Sequence, residues 1–406
     1  MWSSFYGQLI KLKAENKVNK FTLICSLIFY LLILTGCWDN VEIEERAFVY
    51  GLAIDRTEES KSNSEIELTE QLIVPEQFAS TGSGGGGSGP AFRNLTASGE
   101  TIFDVNREMF KQASRTTDPT HLLLVLFSEE LAKEPKRLEQ LLDVFLREKD
   151  MRRGINIAIT SGKASELLTV VPEHEKVPAQ YISKLLEQKK NLEIINVVKI
   201  GDIQNKLLDN VSFPLPLLKT MNPTVIDYEG IAIYNAQKDQ IVGTLKGDYA
   251  KGLSFMSGKK HTGTINIEVD QEKATVELTE IKSSFSLIND DPNNLHISVN
   301  VEVEGTIAEQ LGTDDVLDRE VLQQFNRALE KEIEKLTKGT LTILQNDLQT
   351  DAIGLGSYLF QHHPKLWKSV KVDWETGEKY FTQSRIDVIA NATVNRPGSI
   401  IRTTNN

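Results

Sequence analysis

Short, uninterrupted apolar runs alternate along this chain with amphipathic stretches. Ala47 to Ile54 (AFVYGLAI) reads as a buried strand ending at Asp55. Ile66 to Val74 (IELTEQLIV) alternates well enough for an antiparallel partner across the charged turn EESKSNSE. Thr101 to Ser114 reads as an amphipathic helix with Ile102, Val105, Met109 and Phe110 on one face. His121 to Phe127 (HLLLVLF) is a fully apolar strand, and Pro135 opens a helix bearing Leu138, Leu141, Leu142 and Phe145. Ile155 to Thr160 and Lys163 to Val170 repeat the strand–helix order. Uniformly apolar strands alternating with helices predict a local parallel βαβ unit covered on both faces. Pro178 to Lys190 and Asp202 to Asp209 read as further helices.

Prolines then crowd into Phe213-Pro214-Leu215-Pro216 and Asn222-Pro223, which places a domain boundary near 205–222. Beyond it, Val225–Tyr234 and Gln240–Leu245 form a hairpin, followed by a short helix to Met256 and strands at Thr264–Val269, Ala274–Lys282 and Leu295–Val303. The last alternates at Leu295, Ile297, Val299, Val301 and Val303, so one face is buried and one is wet. Asp314 to Lys335 is a strong helix, with a stripe at Leu317, Val321, Leu322, Phe325, Leu329, Ile333 and Leu336 that reads as core packing. A second helix, Leu341 to Ile353, is expected to stop at Gly354. Strands near Lys365–Trp374 and Arg385–Val394 complete the pattern. The fold class is α+β: a multi-domain mixed α/β protein with a βαβ unit in its N-terminal half and hairpins plus two helices in its C-terminal half. Three domains are expected: an N-terminal α/β domain at 37–210, a middle β-rich domain at 211–305 and a C-terminal helix-plus-sheet domain at 306–406.

The first 36 residues have a different pattern. Lys11, Lys13, Lys17 and Lys20 precede Phe21–Leu34, fourteen residues without a charge. A helix of that length spans about 21 Å, short of the roughly 30 Å hydrocarbon core of a bilayer. A basic stretch, a short apolar run and then small residues read as a secretory signal peptide. Leu34-Thr35-Gly36-Cys37 matches a lipobox, in which the Cys37 thiol receives a diacylglycerol and the signal is cleaved immediately ahead of it. An N-acyl chain can be added to the new N-terminus. Two acyl chains give stable anchoring where one is marginal. Cys37 is the one functional site residue the sequence assigns.

Composition narrows the chemistry. The chain has 406 residues, 40% hydrophobic and 25% charged, as expected of a protein with folded cores. Formal charge is −12, and removing residues 1–36 takes away four Lys and one Glu, leaving a body near −15. Such a balance argues against nucleic acid as a partner and against charge-driven adhesion to anionic lipid. Cys25 and Cys37 are the two cysteines, so the exported body has neither a disulfide framework nor a Cys-based zinc site. The six histidines lack metalloprotease spacing, and adjacent His362 and His363 are poorly placed to share one ion. No Gly-x-Ser-x-Gly elbow is present, and the acidic pairs Glu129-Glu130 and Asp290-Asp291 are expected by chance in a chain with 57 acids. The run NDDPNN lacks calcium-loop spacing. The glycine-rich stretch at 82–89 lacks the Lys-Ser/Thr and helix of a phosphate loop, and reads as a flexible loop. No catalytic, cofactor-binding or metal site is assigned, and no enzyme is expected.

The residues behind the lipobox carry a family resemblance. Cys37-Trp38-Asp39, Glu42-Ile43, Ala47, Val49 and Ile54-Asp55 resemble the mature N-terminus of the Ger(x)C spore germination lipoproteins. The resemblance continues through HLLLVLFSEELAKE (121–134), FLREKDMRRGINIAITSGKASELL (145–168) and Glu229-Gly230-Ile231-Ala232-Ile233. It resumes at Asp351-x-x-Gly354-x-Gly356, with Pro364 and Trp367 after it. Ala53, Leu355 and the poly-Gly insertion depart from the pattern. The resemblance implies a non-enzymatic C subunit of a germinant receptor with three mixed α/β domains. It also implies integral-membrane A and B partner subunits and a lipid anchor on the outer face of the spore inner membrane. Trp38, Asp39 and Glu42 fit strand entry and capping equally well. Two other readings remain open from the sequence: a solute-binding lipoprotein of a transporter, which calls for two similar lobes, and a membrane-anchored wall hydrolase, which calls for two carboxylates facing across a groove.

Overall fold

The computed structural model describes residues 46–395 except 58–64, 76, 78–88, 113–114, 149–150, 189–192, 194, 196–197, 258–261 and 312–317. The leader, Cys37 and all but the last residue of the Gly-rich stretch lie outside the described residues.

Residues 46–245 build one mixed sheet. Its strands are β1 (Arg46–Arg56), β2 (Ile66–Ile73), β3 (Phe92–Gly99), β4 (Thr116–Asp118), β5 (Leu124–Ser128), β6 (Asn156–Thr160), β7 (Phe213–Asn222), β8 (Val225–Asn235) and β9 (Gln240–Leu245). They run in the order β3-β2-β1-β5-β6-β7-β8-β9, with β4 beside β1. Pairing is parallel through β1-β5-β6-β7 and antiparallel toward both ends. Every residue of β5 and β6 is buried, because helices cover both faces, as the uniform apolar runs require. The helices here are α1 (Ile102–Phe110), α2 (Glu129–Ala132), α3 (Arg137–Arg147), α4 (Ala164–Leu167), α5 (Pro178–Leu186) and α6 (Ile200–Leu208). The parallel β5–α2–α3–β6 unit is the expected βαβ.

The second sheet is β10 (Gly263–Val269), β11 (Glu272–Asn289), β12 (His296–Gln310) and β13 (Arg385–Asn395), in that order. Side chains alternate buried and exposed along β10, and Leu295, Ile297, Val299, Val301 and Val303 are all buried. Helices α7 (Asp248–Met256) and α8 (Arg319–Thr342) bear on this sheet, with Phe325, Leu329, Ile333 and Leu336 buried. Leu317 of the predicted stripe lies outside the described residues. Gly252 of α7 meets α8 so closely that a Cβ there would stand 2.2 Å from Thr340 Oγ1 and 2.4 Å from the Leu336 carbonyl. Edge strand β13 is shielded by α8: Asn326 Oδ1 accepts from Val394 N (2.8 Å) and Glu330 Oε1 from Ala392 N (3.1 Å). Exposed edges that keep bare N–H groups invite pairing with other chains.

Several expectations are corrected. The apolar run at 121–127 begins as a tight turn at 119–121, so β5 starts only at Leu124. The helix read over 163–170 is a single turn, and the Leu168 carbonyl just past it accepts from Gln71 Nε2 (2.7 Å) and Asn94 Nδ2 (2.8 Å) instead of continuing the helix. Pro214 and Pro216 lie inside β7 rather than in a linker. The Ile157 N–H bonds Val198 O (3.0 Å), so β6 turns away and pairs with β7 only at Leu217 and Leu218. This leaves the proline half of β7 as an edge, where a missing N–H is tolerated. The helix read over 341–353 is the continuation of α8, which widens into a π-helical turn at Ile343–Leu348. Gly354 heads the next helix instead of ending this one, and its φ of 91° is left-handed. The strand read over 365–374 is helical: α9 (Leu355–His362) is followed by α10 (Pro364–Val370), with buried Trp367 and Val370 three residues apart and Pro364 at its first position. A last short helix, α11 (Tyr380–Gln383), leads into β13. The boundary proposed at 210/211 falls between the paired strands β6 and β7, and that at 305/306 falls within β12.

Candidate functional site

Asp351, singled out by its motif, lies just ahead of α9 and is 2% exposed. Its Oδ1 accepts from Gly354 N (2.9 Å) and Leu355 N (3.0 Å). Its Oδ2 accepts from Gly356 N (2.6 Å) and Trp374 Nε1 (3.0 Å). One carboxylate thus takes three N–H groups that a helix start leaves without partners. That geometry accounts for the glycines. Gly354 supplies the left-handed entry, and a Cβ on Gly356 would stand 2.8 Å from the Trp367 ring. The Asp351-x-x-Gly354-x-Gly356 motif and Trp367 are therefore parts of one capping device.

Glu375, which no sequence motif marks, extends this device to the first sheet. Its Oε1 accepts from Asp351 N (2.7 Å), and its Oε2 accepts from Ser212 Oγ (2.6 Å), which itself accepts from Ala236 N (2.9 Å). Gln237 Oε1 accepts from Glu375 N (3.1 Å), and Gln237 Nε2 donates to the carbonyls of Lys371 and Val372. Asn235 Nδ2 donates to Thr350 Oγ1 (2.8 Å). The end of β8 is thereby clasped to the segment 350–376. Burial pushes the Glu375 carboxyl up to about 7, and the Asp351 charge adds to the rise. Burial pushes Asp351 up as well, against four donated hydrogen bonds that favour its carboxylate. Nothing in the local sequence around Glu375 signals its burial; its partners lie far away in the chain.

Beside the clasp lies a groove of about 1010 Å³, lined by Leu207, Leu208, Phe360, Trp367 and Val372 among others. Leu208, Phe360 and Val372 are exposed large hydrophobic side chains. The groove mixes these apolar side chains with charged ones, among them Glu139, Asp209, Lys368 and Lys371, a combination found at protein-contact surfaces.

The other residues weighed from sequence fall into structural places. Asp55, at the end of β1, caps α4 through Ala164 N (2.6 Å) and Ser165 N (2.9 Å). His362 ends α9 and His363 joins it to α10, with Tyr358 packed against both rings. His296 Nε2 lies 2.8 Å from Asp387 Oδ2 across β12 and β13. Glu129 opens α2, and Asp291 caps a turn through Asn293 N (3.0 Å). Among the described residues no cluster of three or more His, Cys, Asp or Glu side chains is placed to hold a metal ion, and no helix is long and apolar enough to cross a membrane.

The fold and the clasp define a class: a two-sheet mixed α/β protein whose motif residues lock helices to a sheet. Comparison with known proteins narrows it. The family described as "Spore germination protein N-terminal domain" matches residues 39–220, and the one described as "Spore germination B3/GerAC like, C-terminal" matches residues 229–398. The chain belongs to the Ger(x)C family of spore germination proteins. It is 24% identical to spore germination protein YndF of Bacillus subtilis, over 96% of this chain and 99% of that one. It is 26% identical to spore germination protein B3 of the same organism, over 86% of this chain and 91% of that one. The crystal structure of the GerBC protein shares the fold with a TM-score of 0.56 at 20% identity, covering 88% of this chain and 99% of that one.

Proposed function

We propose that this chain is the lipid-anchored C subunit of a spore germinant receptor. It is held through a diacylglycerol on Cys37 at the outer face of the spore inner membrane. It acts with integral-membrane A and B subunits in nutrient-triggered germination, by contact and without turnover of its own. One observation carries the reading: the family matches cover residues 39–220 and 229–398, beginning two residues behind Cys37. The net charge near −15 of the body behind the lipobox supports it, because such a body is repelled by anionic lipid and needs another means of attachment. Exposed Leu208, Phe360 and Val372 at the groove beside the clasp supply a surface suited to a protein partner.

The solute-binding reading calls for two similar lobes. The two sheets differ in strand number and order, which favours the receptor reading. Deleting the gene tests it. Spores should form normally but fail to germinate with one class of nutrient, and a plasmid copy should restore the response. Full response to every nutrient in a strain lacking paralogues would overturn it.

A further inference from the structure

A second concavity lies on the opposite part of the first sheet. Helix α1 packs on β3 and β2, beside the face that carries Leu52 and Glu70, residues paired directly across β1 and β2. Between α1, the end of α3 and that face is a cavity of about 370 Å³, within the range of small-molecule sites. Its walls are apolar, with Leu52, Ile102, Phe103, Phe110, Phe145 and Met151 lining it. Two polar atoms among its lining residues have no partner. Glu70 is 3% exposed and its Oε2 accepts no hydrogen bond; the buried Oδ1 of Asn106 on α1 is likewise unpaired. A buried carboxyl oxygen without a partner is costly and calls for an explanation. The strand pattern exposes the oddity: Ile66, Leu68, Glu70 and Leu72 share the face turned to the core, and Glu70 interrupts it.

We infer that this cavity is a binding site for a small apolar primary amine, with the ammonium on Glu70 and Asn106 and the hydrocarbon body against Phe103, Phe110 and Phe145. Both unpaired atoms are acceptors, and an ammonium offers three donors and a compensating charge. A neutral alcohol offers one donor and no charge. Arg107 is the one other titratable residue lining the cavity, and its side chain lies at the exposed rim. Burial alone pushes the empty Glu70 carboxyl up to about 7. An ammonium therefore has to displace a proton below that pH, so binding strengthens about tenfold per pH unit up to about 7 and then levels off.

The test uses the purified full-length protein in detergent, titrated calorimetrically with n-butylammonium, benzylammonium and n-butanol from pH 5 to 8. The site predicts saturable binding of both amines with that pH profile, and at least tenfold weaker binding of n-butanol. Glu70→Gln should weaken amine binding at least tenfold while the fold is retained. Phe103→Ala, at a side chain 61% exposed and so safe for folding, should weaken benzylammonium several-fold. Absence of amine binding overturns the inference. So does equal binding of the alcohol, or binding unchanged in Glu70→Gln. None of these results depends on whether the chain serves a germinant receptor.

Discussion

Replacing Glu70 by Gln gives a prediction whose size can be worked from the structure. In the unfolded chain this carboxyl ionises at its ordinary value of 4.5, whereas in the folded protein burial raises it to about 7. Between those values the folded state holds a proton that the unfolded state has lost, so Glu70 lowers stability as pH rises through this window and adds nothing further above about 7. At 1.36 kcal/mol per unit, the full cost is about 3 kcal/mol. Glutamine cannot ionise and removes the pH-dependent part. Its own unpaired amide retains a constant penalty of about 1–3 kcal/mol. The assay is urea denaturation of both proteins at half-unit steps from pH 4 to pH 8.5. Glu375 titrates near the same pH in both proteins and cancels in the difference. The variant should gain about 3 kcal/mol on the wild type between pH 4 and pH 8, with the change complete above about pH 7.5. Parallel stability curves would show that Glu70 is solvated or paired in the native state, contrary to its burial without a partner on Oε2.

Other parts of the molecule yield three further expected outcomes. Gly252→Ala forces a methyl group into the contact of α7 with Thr340 and the Leu336 carbonyl, and should destabilise the fold by about 1–3 kcal/mol or more, read as a lower denaturation midpoint. Asp351→Asn turns an amide toward Gly356 N and Trp374 Nε1, both donors, so this near-isosteric change should cost about 2–5 kcal/mol and shift the tryptophan emission. Cys37→Ala should abolish labelling by a palmitate analogue and move the protein from the membrane fraction to the soluble fraction; unchanged labelling would remove Cys37 as the lipid site.

Much of the first sheet is legible in the chain because its central strands are covered on both faces, so short apolar runs such as Leu124–Phe127 and Ile157–Ile159 stand out. Helix α8 is legible for the opposite reason: one long stripe at helical spacing faces the sheet while charges face water. Features that escape the pattern depend on distant partners. Pro214 and Pro216 look like a linker until β6 is seen to leave β7 and pair with Val198. Val370, Val372 and Trp374 alternate like a strand, yet Pro364 and the buried pair Trp367 and Val370 make the segment up to Val370 helical, leaving Val372 exposed. Gly354 looks like a stop and is a start, because Asp351 three residues earlier caps helix α9. Of the candidate sites, the Asp351 motif is visible as spacing and Glu70 as a break in an apolar face. Glu375 and Ser212, 163 residues apart, carry no local signal of their hydrogen bond.

The proposed role is that of an anchored subunit in contact with membrane partners. Cross-linking in isolated spore inner membranes, with the joined residues then mapped, tests it most directly. The chain should co-purify with two integral-membrane germination subunits, with cross-links along the groove lined in part by Leu208, Phe360 and Val372. A chain recovered alone from those membranes, with no cross-link to either subunit, would contradict it.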